Sequence, residues 1–523
     1  MKTTKLLGAL LCSAVLFSCG KEEINSPTNT QQFNIDLSIS EPITPLEGEV
    51  LSKNEINAQV QSSLDRGEIF NWKNVDDKTL WSAVVQSDSL VSVGYSPAHL
   101  VDLEDIIHEI DVKSGEWKAI YDALTNYTLE NVKEVTQNQT LELKEILAYG
   151  EKPLPYFNVY LSDYETIATL RKMGVVRYVE PMGYGSEVQL RDFGCGSNVG
   201  ANAPSADFST VSPNAKVSWN YEYMNIEEAW NYSQGDNITL GLIDTGISPS
   251  QTKLNSQFAS DESTGRYREK HGTYEECWWW WCWNDGPDDD CGHGTSMAGV
   301  MAGPRTDNGS AAGIAYKANL VSVRGTDDVV INSSSEKDGV SDAYYYLGNR
   351  GDVKIISASL GDVFYSGQVA DAVKYAYNRG KLIFAAAGTS TSWTNWVGVI
   401  FPATMSQTTA ITGVTDGSSL QRCDNCHSGS QVEFVTVMQR SGNDERTNLT
   451  LAQSGTDPSY VGGSSVATAT AAGVAALIWA QNPNMSRSQV LQKMKESASN
   501  YPARNSQYGW GIINAEDAVV SAQ

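Results

Sequence analysis

Past about residue 217, short apolar runs rich in β-branched residues alternate with longer stretches of helical spacing. Ile238-Thr-Leu-Gly-Leu-Ile243, Asn319-Leu-Val-Ser-Val323, Val353-Lys-Ile-Ile356 and Lys381-Leu-Ile-Phe384 predict strands. Residues 369–379 predict a helix between two of them, and residues 296–302 and 471–480 predict two more. Apolar strands separated by helices specify a mostly parallel sheet with helices on both faces, an α/β fold. The chain before this reads differently. Tyr156-Phe-Asn-Val-Tyr-Leu161 alternates as a strand does. Asp163 can cap a short helix running to Lys172, with Ile167, Leu170 and Arg171 at helical spacing. Gly174 stops that helix, and Val175-Val-Arg-Tyr-Val179 alternates again before Glu180-Pro181. Strand, helix and strand close a small α+β domain.

Polar stretches separate these parts. Residues 26–47 carry prolines at 27, 42 and 45 and read as part of a flexible tether, 19–53. The small domain spans 54–185. Residues 186–216 start rich in glycine, serine and asparagine and read as a linker and processing region, and 217–523 form the large domain. At the start, Lys2 and Lys5 precede an apolar run from Leu6 to Phe17, too short to span a membrane. Residues 1–18 therefore read as an export signal. No other stretch reads as long and apolar enough to cross a bilayer.

The formal charge of −25 repels phosphate backbones and argues against nucleic acid as a partner. Eight cysteines include Cys12 in the signal and Cys19 just after it. The other six, Cys195, Cys277, Cys282, Cys291, Cys423 and Cys426, read first as disulfides in an exported chain. The alternative is a zinc site using Cys423, Cys426 and His427 with some of the rest. Sequence does not give the pairing.

Three short motifs carry candidate chemistry. Leu242-Ile243-Asp244-Thr245-Gly246 places a carboxylate just past a buried strand, where catalytic groups of open α/β sheets gather. Gly292-His293-Gly294-Thr295 places one of the five histidines between glycines at a helix start. Gly462-Gly463-Ser464-Ser465-Val466-Ala467 places a serine at the head of an apolar helix, amid N–H groups able to bind an oxyanion. Singly these motifs suit a turn, a cap and another cap.

Together, in the order Asp, His, Ser, they resemble the subtilisin-like serine proteases. More of the chain carries the resemblance. Ile226-Glu-Glu-Ala-Trp230 looks like that family's entry helix. Gly313-Ile-Ala315 and Leu320-Val-Ser-Val-Arg324 look like its segment after the histidine helix. Ser357-Ala-Ser-Leu-Gly361, Ala385-Ala-Ala-Gly388 with Phe401-Pro-Ala403, and Tyr508-Gly-Trp-Gly511-Ile-Ile-Asn-Ala515 look like its substrate-pairing edge, pocket wall and closing turn. The resemblance implies an Asp244, His293 and Ser465 triad that cleaves polypeptides through an acyl-enzyme. Substrate would pair with Ser359, Leu360 and Gly361, beside Gly388. The α+β domain resembles the ferredoxin-like inhibitory prodomain of such enzymes, making it a partner of the large domain. Leu16-Phe17-Ser18-Cys19 resembles a bacterial lipobox, which implies lipid on Cys19 and a membrane anchor until the linker is cut between about residues 182 and 218. No cofactor is implied. Calcium suits an acidic family member, but no ligand set stands out.

The sequence also departs from the pattern. Thr389 stands where the family places an asparagine as side-chain oxyanion donor, and loss of such a donor costs on the order of 3 kcal/mol. Asn395, further along that loop, is an alternative donor. Ser464, Val466 and Ala469 replace the usual Thr, Met and Pro around the nucleophile. The stretch between Asp244 and His293 is longer than the family needs. It holds Glu276-Cys-Trp-Trp-Trp-Trp-Cys282-Trp283, read as a disulfide-stapled insertion contacting substrate or a partner, or else packing as a lid. A non-catalytic surface protein on a decayed peptidase fold is the rival function.

Overall fold

The computed structural model describes residues 33–100, 102–185, 195–196, 198–278, 281–389 and 398–523. The N-terminal part runs α1 (Lys53–Asp65), α2 (Asp77–Val85), β1 (Leu90–Tyr95), α3 (Gly115–Thr136), α4 (Leu143–Ile146), β2 (Leu147–Ala148), β3 (Tyr156–Tyr160), α5 (Tyr164–Lys172) and β4 (Val176–Pro181). Its four strands pair antiparallel in the order β2-β3-β1-β4. The Asp163 carboxylate caps α5 by accepting from the Thr166 N–H at 2.7 Å, a contact worth about 1 kcal/mol. Ile56, Val60, Leu80, Val91, Phe157, Ile167 and Leu170 fill the core between sheet and helices. The end of the stretch expected as a tether lies along this domain instead. Ile35, Leu37 and Ile39 alternate, as an edge segment does, and pack on the core. Lys172 and Tyr164 hold the carbonyls of Pro42 and Thr44.

The C-terminal part opens with a two-stranded ribbon, β5 (Phe208–Val211) and β6 (Ala215–Ser218), and a short helix, α6 (Ile226–Ala229). The main elements follow as β7 (Thr239–Asp244), β8 (Arg268–Gly272), the hairpin β9 (Glu275–Trp278) and β10 (Trp281–Asn284), α7 (His293–Ala302), β11 (Asn319–Arg324), α8 (Ser334–Asn349), β12 (Val353–Ala358), α9 (Gly367–Asn378) and β13 (Leu382–Ala386). The chain then adds β14 (Thr409–Thr415), β15 (Val432–Arg440), β16 (Asn443–Leu451), β17 (Pro458–Val461), α10 (Gly463–Gln481), α11 (Arg487–Ser497) and α12 (Ala515–Ser521). Nine strands make one sheet in the order β17-β16-β15-β14-β13-β12-β7-β11-β8. The strands from β15 to β8 are parallel, and β16 and β17 are antiparallel. This is the mostly parallel α/β sheet expected, with an antiparallel edge.

Side chains alternate across the sheet and set its two layers. Leu240, Leu242, Phe384, Ile411 and Phe434 meet α7 and α10 on one face. Ile243, Val321, Ile356 and Ile383 meet α8 and α9 on the other. α10 corrects one expectation, because it is long and apolar enough to cross a membrane. However, 89% of its apolar window is buried inside the protein, where it is the central core helix. Both α7 and α10 also begin earlier than their apolar runs suggested, so His293 and Ser465 lie within the first helical turns rather than before them.

The N-terminal sheet rests on α8 and α9. Lys152 reaches Asp338 at 2.7 Å and Asp342 at 3.1 Å. Arg177 pairs with Asp371. The Glu180 carboxylate accepts from the N–H of Gly367, the first residue of α9, at 2.6 Å. A Cβ on Gly367 would lie 2.6 Å from the Tyr178 ring, so only glycine admits the tyrosine there. Beside this polar seam, Phe364 of the C-terminal part enters the N-terminal core. It stacks on Trp72 at 5.5 Å and meets Phe70 edge-on.

Candidate active site

β7 delivers Asp244 at the C-terminal end of the parallel sheet, where its register partner on β11 is Arg324. His293 is the first residue of α7. Its Nδ1 lies 2.7 Å from Asp244 Oδ1, with both side chains buried. Burial disfavours the imidazolium, but the Asp244 charge and hydrogen bond, then Asp289 and Asp328, outweigh it. The His293 pKa therefore stands above the ordinary imidazole value. Ser465 is the third residue of α10, among the N–H groups that no helix can satisfy internally. Its carbonyl accepts from the Ser359 hydroxyl at 3.0 Å, and its own hydroxyl faces the Ser359 carbonyl at 3.5 Å. His293, Ser465, Ser359, Leu360, Gly361, Gly388 and Thr389 line one cleft of about 480 Å³, with Asp244 behind the histidine.

Thr389 turns toward the head of α10. Its hydroxyl accepts from the Ser464 N–H at 3.0 Å and lies 3.0 Å from the Ser464 hydroxyl, which accepts from the Gly388 N–H at 3.1 Å. A Cβ on Gly463, whose φ is +83°, would lie 2.6 Å from the Thr389 hydroxyl. The helix head thus needs glycine both for its backbone and for this contact. Asn395 lies outside the described residues, as do Cys19 and the signal. The edge at Gly361 is already paired, which the sequence did not foretell. Its N–H donates to the Val329 carbonyl at 3.0 Å, and its carbonyl accepts from the Ile331 N–H at 3.2 Å.

Sequence reasoning also missed Asp289. It is 2% exposed and accepts from the N–H groups of Gly292 and Thr295, at 2.7 and 2.8 Å, and from the Thr295 hydroxyl at 2.6 Å. The Thr245 hydroxyl donates to it at 2.9 Å and accepts from the Gly294 N–H at 2.9 Å. One carboxylate thereby ties the residue after Asp244 to the residues on either side of His293. The signal was its place four residues before the histidine, hidden in the run Asp288-Asp-Asp290.

The six described cysteines pair as Cys195–Cys291, Cys277–Cys282 and Cys423–Cys426. Cys423 and Cys426 are bonded to each other, so that pair offers no thiolate for zinc. His427, the third member of that alternative, is buried with its pKa pushed down to about 4 and its Nδ1 near the Gly398 carbonyl. It props the backbone of Gly388 from beneath. Among the described residues, no group of three or more His, Cys, Asp and Glu is placed to hold a metal. The Cys277–Cys282 pair staples the β9–β10 hairpin, and Cys277 faces Tyr149 and Tyr160 of the N-terminal part and Ser333 to Ser335 at the head of α8. Trp279 and Trp280 lie outside the described residues.

Comparison with known proteins bears on the family and the fold. The family model described as "Subtilase family" matches residues 235–511. The minor extracellular protease Epr of Bacillus subtilis (strain 168) is 26% identical over 363 residues, 67% of this chain and 48% of that protein. This chain thus spans about half the length of Epr. M-protease of Shouchella clausii (strain KSM-K16) is 23% identical over 443 residues, 84% of this chain and 99% of that protein. The crystal structure of fervidolysin from Fervidobacterium pennivorans, titled a keratinolytic enzyme related to subtilisin, aligns with a TM-score of 0.56 and 15% identity. The alignment covers 83% of this chain and 61% of that one, and it bears on the fold alone. With the family match over more than half its length and the same fold in a solved relative, this chain belongs to the subtilase family.

Proposed function

We propose that this chain is an exported serine endopeptidase using Asp244, His293 and Ser465. The observation that carries the reading is the buried 2.7 Å contact between His293 Nδ1 and Asp244, in a cleft shared with a serine at a helix head. In this mechanism the Ser465 hydroxyl attacks the scissile carbonyl while His293 takes its proton. Asp244 orients the ring and stabilises its charged form. The tetrahedral oxyanion is met by the Ser465 N–H at the positive end of α10. Thr389 is the side-chain donor of the reading. If Ser464 donates its hydroxyl proton to Thr389, the Thr389 proton is free for the oxyanion. Collapse expels the amine, protonated by His293, and water then releases the acyl group by the reverse route.

Residues 54–185 act in this reading as an inhibitory prodomain, supported by their seat on α8 and α9 and by Met182, whose carbonyl accepts from Lys337 at 2.6 Å. Lipid on Cys19 anchors the precursor to the bacterial envelope, and self-cleavage in the linker cuts the peptide connection between the domains. Polypeptides are the substrates, and no cofactor takes part in the bond cleavage. Extracellular relatives support export.

The test is mass and labelling of the purified chain beside Ser465→Ala, using a fluorophosphonate probe. The reading expects the wild type to shorten between residues 182 and 218 and to take the label, with the variant full-length and unlabelled. Two full-length, unlabelled proteins overturn it in favour of a non-catalytic binding protein.

A further inference from the structure

Between the two domains the described chain ends at Gly185 and begins again at Cys195. Cys195 is bonded to Cys291, two residues before His293. Gly196 and Asn198 then line the same cleft as His293 and Ser465. Asn198 is held firmly there. Its amide donates to the Gly292 carbonyl at 3.2 Å, the Ser296 hydroxyl at 2.6 Å and the Leu451 carbonyl at 3.2 Å. Its own carbonyl accepts from the Gln453 N–H at 2.9 Å, and the Ala201 N–H donates to the Pro458 carbonyl at 2.7 Å. One disulfide and five hydrogen bonds fix this segment to the body of the large domain.

Its position has chemical meaning. In the proposed function the acyl half of a substrate lies along Ser359 to Gly361 and Gly388, which line the cleft. Cys195, Gly196 and Asn198 stand on the histidine side, with Cys195 on Cys291 and Asn198 against Gly292 and Ser296. His293 gives its proton to the departing amine, so the residues following the scissile bond must leave across that side. A substrate extended there meets Gly196 and Asn198.

A cut before Cys195 does not release this segment, because the disulfide keeps it beside His293. A cut after Cys195 leaves the N-terminal domain tied to the large domain by the same bond. We infer that the Cys195–Cys291 strap stays in the leaving-group half of the cleft after maturation, and that Asn198 limits how much chain a substrate can carry beyond the scissile bond. This inference rests on the serine peptidase reading and specifies its substrates as those with a short leaving side.

The test compares two substrates with one acyl peptide, a 4-nitroanilide and a quenched peptide extended by about four residues beyond the scissile bond. It uses the mature wild type, the double variant Cys195→Ser with Cys291→Ser, and Asn198→Ala, which keeps the disulfide and guards against a misfolded double variant. The expected result is that both variants gain about tenfold or more in kcat/KM on the extended peptide, the scale of one or two net hydrogen bonds. The anilide rate stays within about twofold, so the ratio of the two substrates moves. An unchanged ratio in both variants overturns the strap and leaves the peptidase reading standing. Turnover of neither substrate by any form, with Ser465 unlabelled, overturns both.

Discussion

The proposed mechanism needs a neutral His293, and three carboxylates, Asp244, Asp289 and Asp328, raise its proton affinity. Its pKa is held above the ordinary imidazole value, so the acid limb of kcat/KM should have its midpoint above that value. Asp289→Asn removes one of the charges while Asp244 and Asp328 remain. The limb should therefore move to lower pH, because the imidazolium loses stabilisation. The amide also turns its NH2 toward the N–H donor of either Gly292 or Thr295, so kcat should fall at all pH values. A pH profile of the variant checks both. A rate loss with an unmoved limb would mean that Asp289 only holds structure. Such a residue was not legible beforehand, since an aspartate in an acidic run looks the same whether it faces water or Thr245. The candidates Asp244, His293 and Ser465 were legible because Asp244 closes an apolar run, His293 stands between two glycines, and Ser465 heads an apolar helix. Asn198 and the partner of Cys195 were not, as contacts across 94 and 96 residues leave no local pattern.

Among the elements, those buried on both faces were the readable ones. β7, β11, β12 and β13 are apolar along nearly their whole length, and so were visible as strands. β16 was not, for its first half, Asn443-Asp-Glu-Arg446, is charged and largely exposed, and only its second half is buried. α8 was hidden likewise, because its face toward the N-terminal sheet carries Lys337, Asp338 and Asp342 where an apolar stripe would otherwise announce a helix. That seam gives a prediction at this scale. Phe364 is the aromatic that the large domain lends to the N-terminal core, and removing a buried phenylalanine costs about 3–5 kcal/mol. Phe364→Ala should weaken retention of the cleaved N-terminal domain by at least about a hundredfold, even if relaxation recovers part of that cost. Labelling of Ser465 should persist. Size-exclusion chromatography after processing measures the retention, and co-elution undiminished would remove Phe364 from the docking.

At the scale of the whole molecule, the two domains are joined through buried charge, so their union depends on pH. Burial lifts the Glu180 pKa to about 7 against the Gly367 N–H bond and Lys337, which lower it; Asp371 adds to the lift and Arg177 opposes it. A carboxyl whose pKa is raised in the docked state favours docking fully below its free value of 4.5. That contribution is lost as pH rises through about 7. Asp338, lifted by burial despite Lys152, acts in the same direction. The cleaved N-terminal domain should therefore bind the large domain more tightly at about pH 5 than at about pH 8, as its share co-eluting with the processed wild type at the two pH values would show. Affinity that is flat or rises over this interval would exclude these carboxyls as its pH control.

The pairing of Gly361 with Val329 and Ile331 bears on what such a molecule could attack. A long open groove asks its target for six or more residues drawn out straight, which folded proteins surrender only when they come apart locally. Here one flank of the groove is closed by its own backbone and the other crossed by a strap, leaving room for a short extended stretch at the nucleophile. A loop tip or a taut bend on an intact target can supply that much without unravelling. Under the proposed function, folded polypeptides, and not only their unfolded remains, come within reach of a cleft so narrow.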